Sequence, residues 1–398
     1  MDPTVQPTQG RGRIKVVTLI DYLLATGGAE RVALSIATRL DPERFESILC
    51  ASRWPAPAGL EEGSRRAREE LSRAGVRLLG LGRSGKVDVW VWGRLARFLA
   101  RERVDVLHAH KFGSNVWGTI AGRAARVPVL LAHEHTWSYE GQPIRRLLDR
   151  EVIARGADRF IAVSRADQRR MSEVEHIDPA RTLFIPLGTA PSPAQELHDV
   201  RSELGLAPGS PVIGTVGLLR AQKAHDVLLQ AAALLKERWP ALRVLIVGDG
   251  PLRDQLQSLA RELGLQETVR FLGYRHDVAS VLAAMDVAVC SSDFEGSPIA
   301  MLEYMDAALP IASTDVGGIP DLIESGRHGL LVPRRDPAAL AGAIGQLLED
   351  PERARAMGEL ARARRRAEFD VDVMVARLQE LYVELLSLSR RGRRESGA

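Results

Sequence analysis

Short apolar runs of β type alternate with longer amphipathic stretches along almost the whole chain, and the series runs twice. In the first half, residues 14–20, 46–50, 76–79, 105–108, 129–132 and 159–163 read as strands. Helical patterns fall between and after them at 29–40, 61–74, 89–101, 116–125, 145–154 and 165–175. From Pro186 to Pro211 the chain turns rich in proline and alanine, a composition suited to a connection. The alternation then restarts, with strands at 212–216, 243–247, 269–272, 287–290, 311–313 and 329–331. Its helices are expected at 226–238, 251–263, 278–284, 298–307, 337–348 and 352–367. Parallel neighbours need long crossovers, and crossover helices cover both faces of the sheet. The pattern therefore predicts an α/β protein with two Rossmann-like domains facing a cleft: residues 12–190, a linker at 191–211, and residues 212–368. A last helix within 369–389 is expected to cross back onto the first domain.

Size and composition fit this plan. A chain of 398 residues is comfortable for two domains. The net charge of +3 gives no electrostatic case for nucleic acid. Cys50 and Cys290 sit in or beside apolar strand-like runs and read as small buried hydrophobes rather than as a disulfide. The first thirteen residues are polar and proline-bearing, so no secretory signal is expected, and no apolar run is long enough to span a bilayer. The expected setting is reduced and cytoplasmic. Residues 89–101 mix tryptophan, apolar residues and arginine. Such a helix can rest on the anionic inner face of a membrane, although packing its apolar side on the sheet is the commoner use.

The densest chemistry lies between Ser291 and Glu303. Glu295 falls in the loop after strand 287–290, and Glu303 lies eight positions on, in the following helix. Ser297 reads as the N-cap and Pro298 as the first helical residue. In open parallel sheets ligands bind beyond the carboxyl ends of the strands. The helix start, around Gly296, Ser297 and Ile299, offers amides to phosphate. One carboxylate can reach a reacting group, and the other can accept two hydrogen bonds from a ribose diol. This spacing resembles the E-x7-E motif of retaining glycosyltransferases with the GT-B fold, family 4, also called glycosyl transferases group 1.

Further fragments support the resemblance. Residues 216–223 look like the family's V-G-R-L-x-x-x-K-G, with Gly217 and Lys223 in place, but Leu218 where arginine is usual and Ala224 where glycine is usual. Arg220 is then a candidate for the missing charge. Gly248 belongs to a V-G-x-G-P-like element, and Tyr274 ends an F-x-G-like loop whose backbone contacts the base in the family. Residues 315–321 resemble T-x-x-G-G-x-x-E, with Asp321 in the last place. In the first half, Gly27 and Gly28 with Glu30 resemble the G-G-x-E loop that faces the donor phosphates. Asp105, His108 and His110 match D-x-x-H-x-H. His133 and His135 close the next strand; either can fill the place of the family's histidine that meets the sugar, and His135 is favoured because Glu134 before it resembles a common E-H pair.

The resemblance implies a nucleotide-sugar donor held by the second domain and a glycan, lipid-linked or small-molecule acceptor held mainly by the first. It implies retention, with His135 and Glu295 at the sugar, Glu303 at the ribose and Lys223 at the diphosphate, where Arg220 is only a candidate second cation. No D-x-D ends a strand, so neither a metal nor another cofactor is required. Residue reading alone leaves rivals open. A glycoside hydrolase could use the Glu295/Glu303 pair, a Rossmann protein could bind a dinucleotide without transfer, and the four histidines could hold a metal.

Overall fold

The computed structural model describes residues 12–25, 27–55, 61–85, 88–135, 142–191 and 197–395. The first sheet contains β1 (Ile14–Ile20), β2 (Phe45–Ala51), β3 (Arg77–Gly80), β4 (Val106–His110), β5 (Val129–Glu134), β6 (Arg159–Ala162) and β7 (Thr182–Phe184). Its order is β3-β2-β1-β4-β5-β6-β7, and every pairing is parallel. The second contains β8 (Val212–Val216), β9 (Arg243–Val247), β10 (Val269–Gly273), β11 (Val287–Cys290), β12 (Ile311–Thr314) and β13 (Leu330–Val332). It runs β10-β9-β8-β11-β12-β13, again all parallel. In each sheet the order reverses beside the first strand, so β1/β4 and β8/β11 flank the two crevices where ligands bind in such folds. The class expected from the alternation, two Rossmann-like domains, is the class observed.

Strand side chains alternate between two buried layers. Val16, Val106 and Val129 face one side of the first sheet, and Val17, Leu107 and Leu130 face the other. The first of these layers is closed by the C-terminal helix, Val371–Glu395. Its Val371, Met374, Val375, Leu378, Leu381 and Tyr382, spaced three and four apart, pack on that layer. The chain thus returns from the second sheet to cover the first.

The two crossings between the sheets lie side by side. Thr189 and Asp370 form a parallel bridge, and a Cβ on Gly188 would stand 2.4 Å from the Asp370 carbonyl oxygen. Fully buried Arg365 secures the junction. Its guanidinium lies 3.1 Å from Asp370, 3.7 Å from Asp306, and donates to the Thr189 carbonyl. Removing one partner of a buried ion pair costs about 3–5 kcal/mol. Arg365→Ala is expected to fall at the lower end, near 3 kcal/mol, because Asp370 is one-fifth exposed. Denaturant unfolding checks this, and a loss within experimental error would show that the junction is held by packing alone.

Several local expectations shift. Part of the expected linker packs with the second sheet: Val200 and Leu206 join its core, and Arg201 bonds to Ala284, Ser210 and Asp286. The helix expected at 116–125 is Phe112–Ala124. Lys111, with φ of 71°, turns the chain from β4 directly into it. The stretch expected at 145–154 is a helix, Pro143–Leu148, that runs into a π-helical turn, Asp149–Ala154. Both cysteines are free and buried.

Candidate active site

The wall of the cleft from the second domain is built on the loop between β11 and the helix Ile299–Asp306. Pro298, not Ser297, is the N-cap, and Ile299 is the first helical residue. The reason is tertiary. Gly317 and Gly318 press on this loop so closely that a Cβ at 317 would stand 1.7 Å from the Glu295 carbonyl oxygen, which accepts from the Gly318 amide at 3.1 Å. The loop is held extended through Pro298, and the helix starts one residue late. Ser297 Oγ is left buried without a partner.

Glu295 is buried beneath this loop and fully engaged. Its Oε1 accepts from Lys223 Nζ at 2.6 Å and from Ser292 Oγ at 2.6 Å. Lys223 comes from the turn after β8, and its stem passes 3.5 Å from where a Cβ on Gly217 would stand. Gly248 is equally constrained: its φ is 125°, and a Cβ there would sit 2.0 Å from the Gly217 oxygen. Burial, the largest single influence, works against the Lys223 ammonium, but the Glu295 charge, the nearby Cys290 and the hydrogen bond to Glu295 together outweigh it and raise its pKa above the ordinary lysine value.

Glu303 projects from the helix to the opposite domain, where Arg31 Nη1 meets its Oε1 at 2.8 Å. Arg31 lies on Gly28–Arg39, the helix opened by the paired glycines. Gly27 has φ of 97°, and Gly28 leaves room for Ile299, 3.6 Å from its missing Cβ. Thr26, part of that expected loop, lies outside the described residues. Gly296 approaches the first domain so closely that a Cβ would stand 2.6 Å from the His135 carbonyl oxygen. Asp321 ties the domains as well, accepting from the Arg165 amide at 2.8 Å.

At the carboxyl ends of β4 and β5 the histidines gather on one sheet face. His110 Nδ1 lies 3.0 Å from His135 Nε2, and His108 Nδ1 lies 2.7 Å from the Tyr382 hydroxyl. The rings stack with centroids 4.3–5.3 Å apart. Burial drives the pKa of each below the usual histidine value, that of His133 to about 3. His133 is wholly buried, whereas His135 borders the cleft cavity. Among the described residues, His108, His110 and His133 form the group whose ligand atoms are close enough for a metal, all within 4.8 Å of one another.

A cavity of about 500 Å³ opens between the domains. It is lined by Gly28, His135, Arg220, Lys223, Glu295, Gly296 and Ser297 from among the expected residues. Gly27, His110, His133, Gly217, Gly248, Tyr274, Ile299 and Glu303 are not part of its lining. Tyr274 is 58% exposed and stands edge-on to His276. The lining also brings in Asp21, Lys111 and Arg145, which sequence reading passed over. Lys111 binds Glu30 at 2.8 Å, and the Arg145 guanidinium sits 4.0 Å from the Phe112 ring centre. Asp21 and Lys111 each directly follow a strand, β1 and β4, and that position was the available signal.

Two parallel α/β domains with carboxylates, cations and a helix start across a shared cleft match the GT-B architecture. The model described as Glycosyl transferases group 1 matches residues 198–364, and that described as Glycosyltransferase Family 4 matches residues 26–192. The D-inositol 3-phosphate glycosyltransferase of Nocardia farcinica is 35% identical over 276 residues, covering 64% of this chain and 61% of that protein. The enzyme of the same name from Corynebacterium urealyticum is 32% identical, covering 72% and 73%. The UDP-Gal:alpha-D-GlcNAc-diphosphoundecaprenol alpha-1,3-galactosyltransferase of Escherichia coli is 25% identical, covering 96% and 99%. Among solved structures, Anabaena HepE in complex with UDP and glucose superposes with a TM-score of 0.79 at 22% identity, covering 94% of this chain and all of that one. The chain belongs to the family 4 glycosyltransferases of the GT-B fold.

Proposed function

We propose that this chain transfers a sugar, with retention, from a nucleoside-diphosphate sugar held by the second domain to an acceptor held by the first. The observation that carries this reading is the juxtaposition of Lys223, Glu295 and Arg220 with His135 and Gly28 around one cavity. Lys223, Arg220 and the amides of the helix beginning at Ile299 neutralise the departing diphosphate. Glu303 accepts hydrogen bonds from the ribose diol, which requires its bond to Arg31 to open or be shared. His135 and Glu295 contact the transferred sugar. The bond from the anomeric carbon to the diphosphate breaks, the bond to the acceptor oxygen forms on the same face, and the acceptor proton passes to the leaving diphosphate.

A phosphorylated acceptor suits the cations Lys111 and Arg145 on the first-domain side, and the names of the Nocardia and Escherichia relatives both carry one. Among the described residues no helix is long and apolar enough to cross a membrane. The helix Trp90–Arg101 buries Val91, Trp92, Leu95 and Leu99 and exposes Trp90 with three arginines. That outer face suits peripheral contact with anionic lipid.

Charge-assisted hydrogen bonds contribute about 1.5–3 kcal/mol. Glu303→Ala is therefore expected to weaken both donor and free nucleoside diphosphate by about tenfold to a hundredfold by calorimetry. Unchanged nucleotide affinity would remove Glu303 from the donor site. Hydrolysis is not favoured by the geometry, because Glu295 and Glu303 are each paired with a cation, Lys223 and Arg31, rather than facing one another as an acid and a nucleophile.

A further inference from the structure

Asp21 borders the cavity, and neither the donor nor the transfer step uses it. It directly follows β1, at the carboxyl end of the first sheet. Its Oδ1 accepts from Ser52 Oγ at 2.8 Å, from Arg83 Nη2 at 2.9 Å and from Ser114 Oγ at 3.2 Å. Ser52 directly follows β2, Arg83 lies just beyond β3, and Ser114 is in the first turn of the helix after β4. All three donors are buried. An ionised carboxylate can only accept, so the direction of each bond is fixed. Separate segments of chain thus converge to hold one oxygen of one side chain.

The other oxygen is left open. Among the described residues Oδ2 takes no hydrogen bond, yet it is not one of the buried polar atoms that lack a partner. It is an atom that solvent reaches, on a side chain one-fifth exposed. Gly113, also in the cavity wall, stands beside it: a Cβ there would lie 3.6 Å from Oδ2, in ordinary contact. The other carboxylates of the wall are tied to cations of the wall itself, Glu30 to Lys111, Glu134 to Arg145 and Glu295 to Lys223. Arg83, the cation that balances Asp21, is not part of the lining. Lys111 and Arg145 suit a phosphate, whereas the charge of Asp21 repels one. What its open oxygen can receive is a hydroxyl, which donates.

We propose that Asp21 selects the acceptor: with Oδ1 fixed by the fold, Oδ2 accepts a hydrogen bond from an acceptor hydroxyl. The substrate class is then a phosphorylated polyol or sugar, with its phosphate on the side of Lys111 and Arg145 and a hydroxyl on Asp21. That hydroxyl is not the attacking one, whose proton passes to the diphosphate. This rests on the reading of the first-domain side of the cavity as the acceptor site.

Calorimetry on the full chain, saturated with whichever of UDP, GDP or ADP it binds, tests this with inositol 3-phosphate, glucose 1-phosphate and inorganic phosphate as probes. At least one of the two organic phosphates is expected to bind more tightly than inorganic phosphate. Asp21→Asn keeps an oxygen under the three donors and turns the cavity atom from acceptor into donor. It should weaken that probe by about tenfold, the scale of one charge-assisted hydrogen bond. Inorganic phosphate should bind as tightly or more tightly, because a repelling charge is gone. Gly113→Ala keeps every bond to Oδ1 but crowds Oδ2, so it should weaken the same probe by about fivefold, the cost of one methyl forced into a fitted site. Ser52→Ala removes one donor to Oδ1 and leaves Oδ2, so it should lower the melting temperature while probe affinity stays within about twofold. Equal weakening of organic and inorganic phosphate in Asp21→Asn, or loss of probe affinity in Ser52→Ala, would show that Asp21 only shapes the site and would overturn the proposal. Should Asp21→Asn fail to fold, Gly113→Ala decides, and unchanged affinity there overturns it. Nucleoside diphosphate binding with neither organic phosphate above inorganic phosphate would leave the donor site standing and overturn the acceptor class. No nucleoside diphosphate binding at all would overturn the transferase reading on which the proposal rests.

Discussion

Lys223→Ala is expected to lower turnover by about 10²–10³, the scale of losing one preorganised donor to a developing charge. Two effects combine at this position. The ammonium is a half-buried cation beside the cavity, and under the proposed function its removal leaves the charge of the leaving diphosphate to Arg220 and the helix amides. Removal also strands Glu295, whose side chain is 5% exposed and whose Oε1 would keep only Ser292 as a close partner. Lys223→Ala should therefore lose stability along with activity, and Lys223→Ala/Glu295→Gln should regain stability without regaining turnover. Arg220 is exposed on the cavity rim, and no ion pair of its guanidinium is found among the described residues. If it serves the same diphosphate, Arg220→Ala and the double variant with Lys223→Ala should show non-additive losses. Steady-state kinetics with saturating donor tests both, and a Lys223→Ala rate within about threefold of wild type would remove the lysine from the transition state.

Acid should destabilise the fold well above the carboxylate range. His108, His110 and His133 are buried and His135 is partly buried at the cavity, all four with pKa values pushed below 6.5 by desolvation, and His225 is lowered to about 4 in the same way. Below about pH 6.5 the unfolded chain binds a proton at each of these sites, while the folded chain does not. Stability therefore falls as pH drops through that window, by about 1.4 kcal/mol per pH unit for each group. Two buried carboxyls oppose this. Burial raises Asp149 to about 8 and Asp167 to about 6, so folding favours their protonated forms and stability from them rises as pH falls. Five imidazoles against two carboxyls leave a net loss. The melting temperature is expected to be clearly lower at pH 5.5 than at 7.5, and a flat or rising profile would show that the histidines are charged or hydrated in the fold.

The architecture was legible because its signals are local. Period-two and period-3.6 patterning marked β1, β8, β9 and β11 to the residue, and strand–helix alternation alone implies parallel sheets with covered faces. The same locality placed Lys223 and Glu295 at strand ends of the second domain, where such sheets bind ligands. What the chain alone left open concerns partners brought together by folding over long separations. Arg31 meets Glu303 across 272 positions, and no pattern within either segment announces it. His133 and His135 are two positions apart and chemically alike, yet only His135 borders the cavity, because β5 ends between them. Ser297 lost its expected place as N-cap to a pair of glycines some twenty residues on, which press on the loop only once β11 and β12 are paired. Sequence periodicity records the face that each element buries; which side chain meets which across the cleft depends on sheet order and domain closure, and these are properties of the assembled structure.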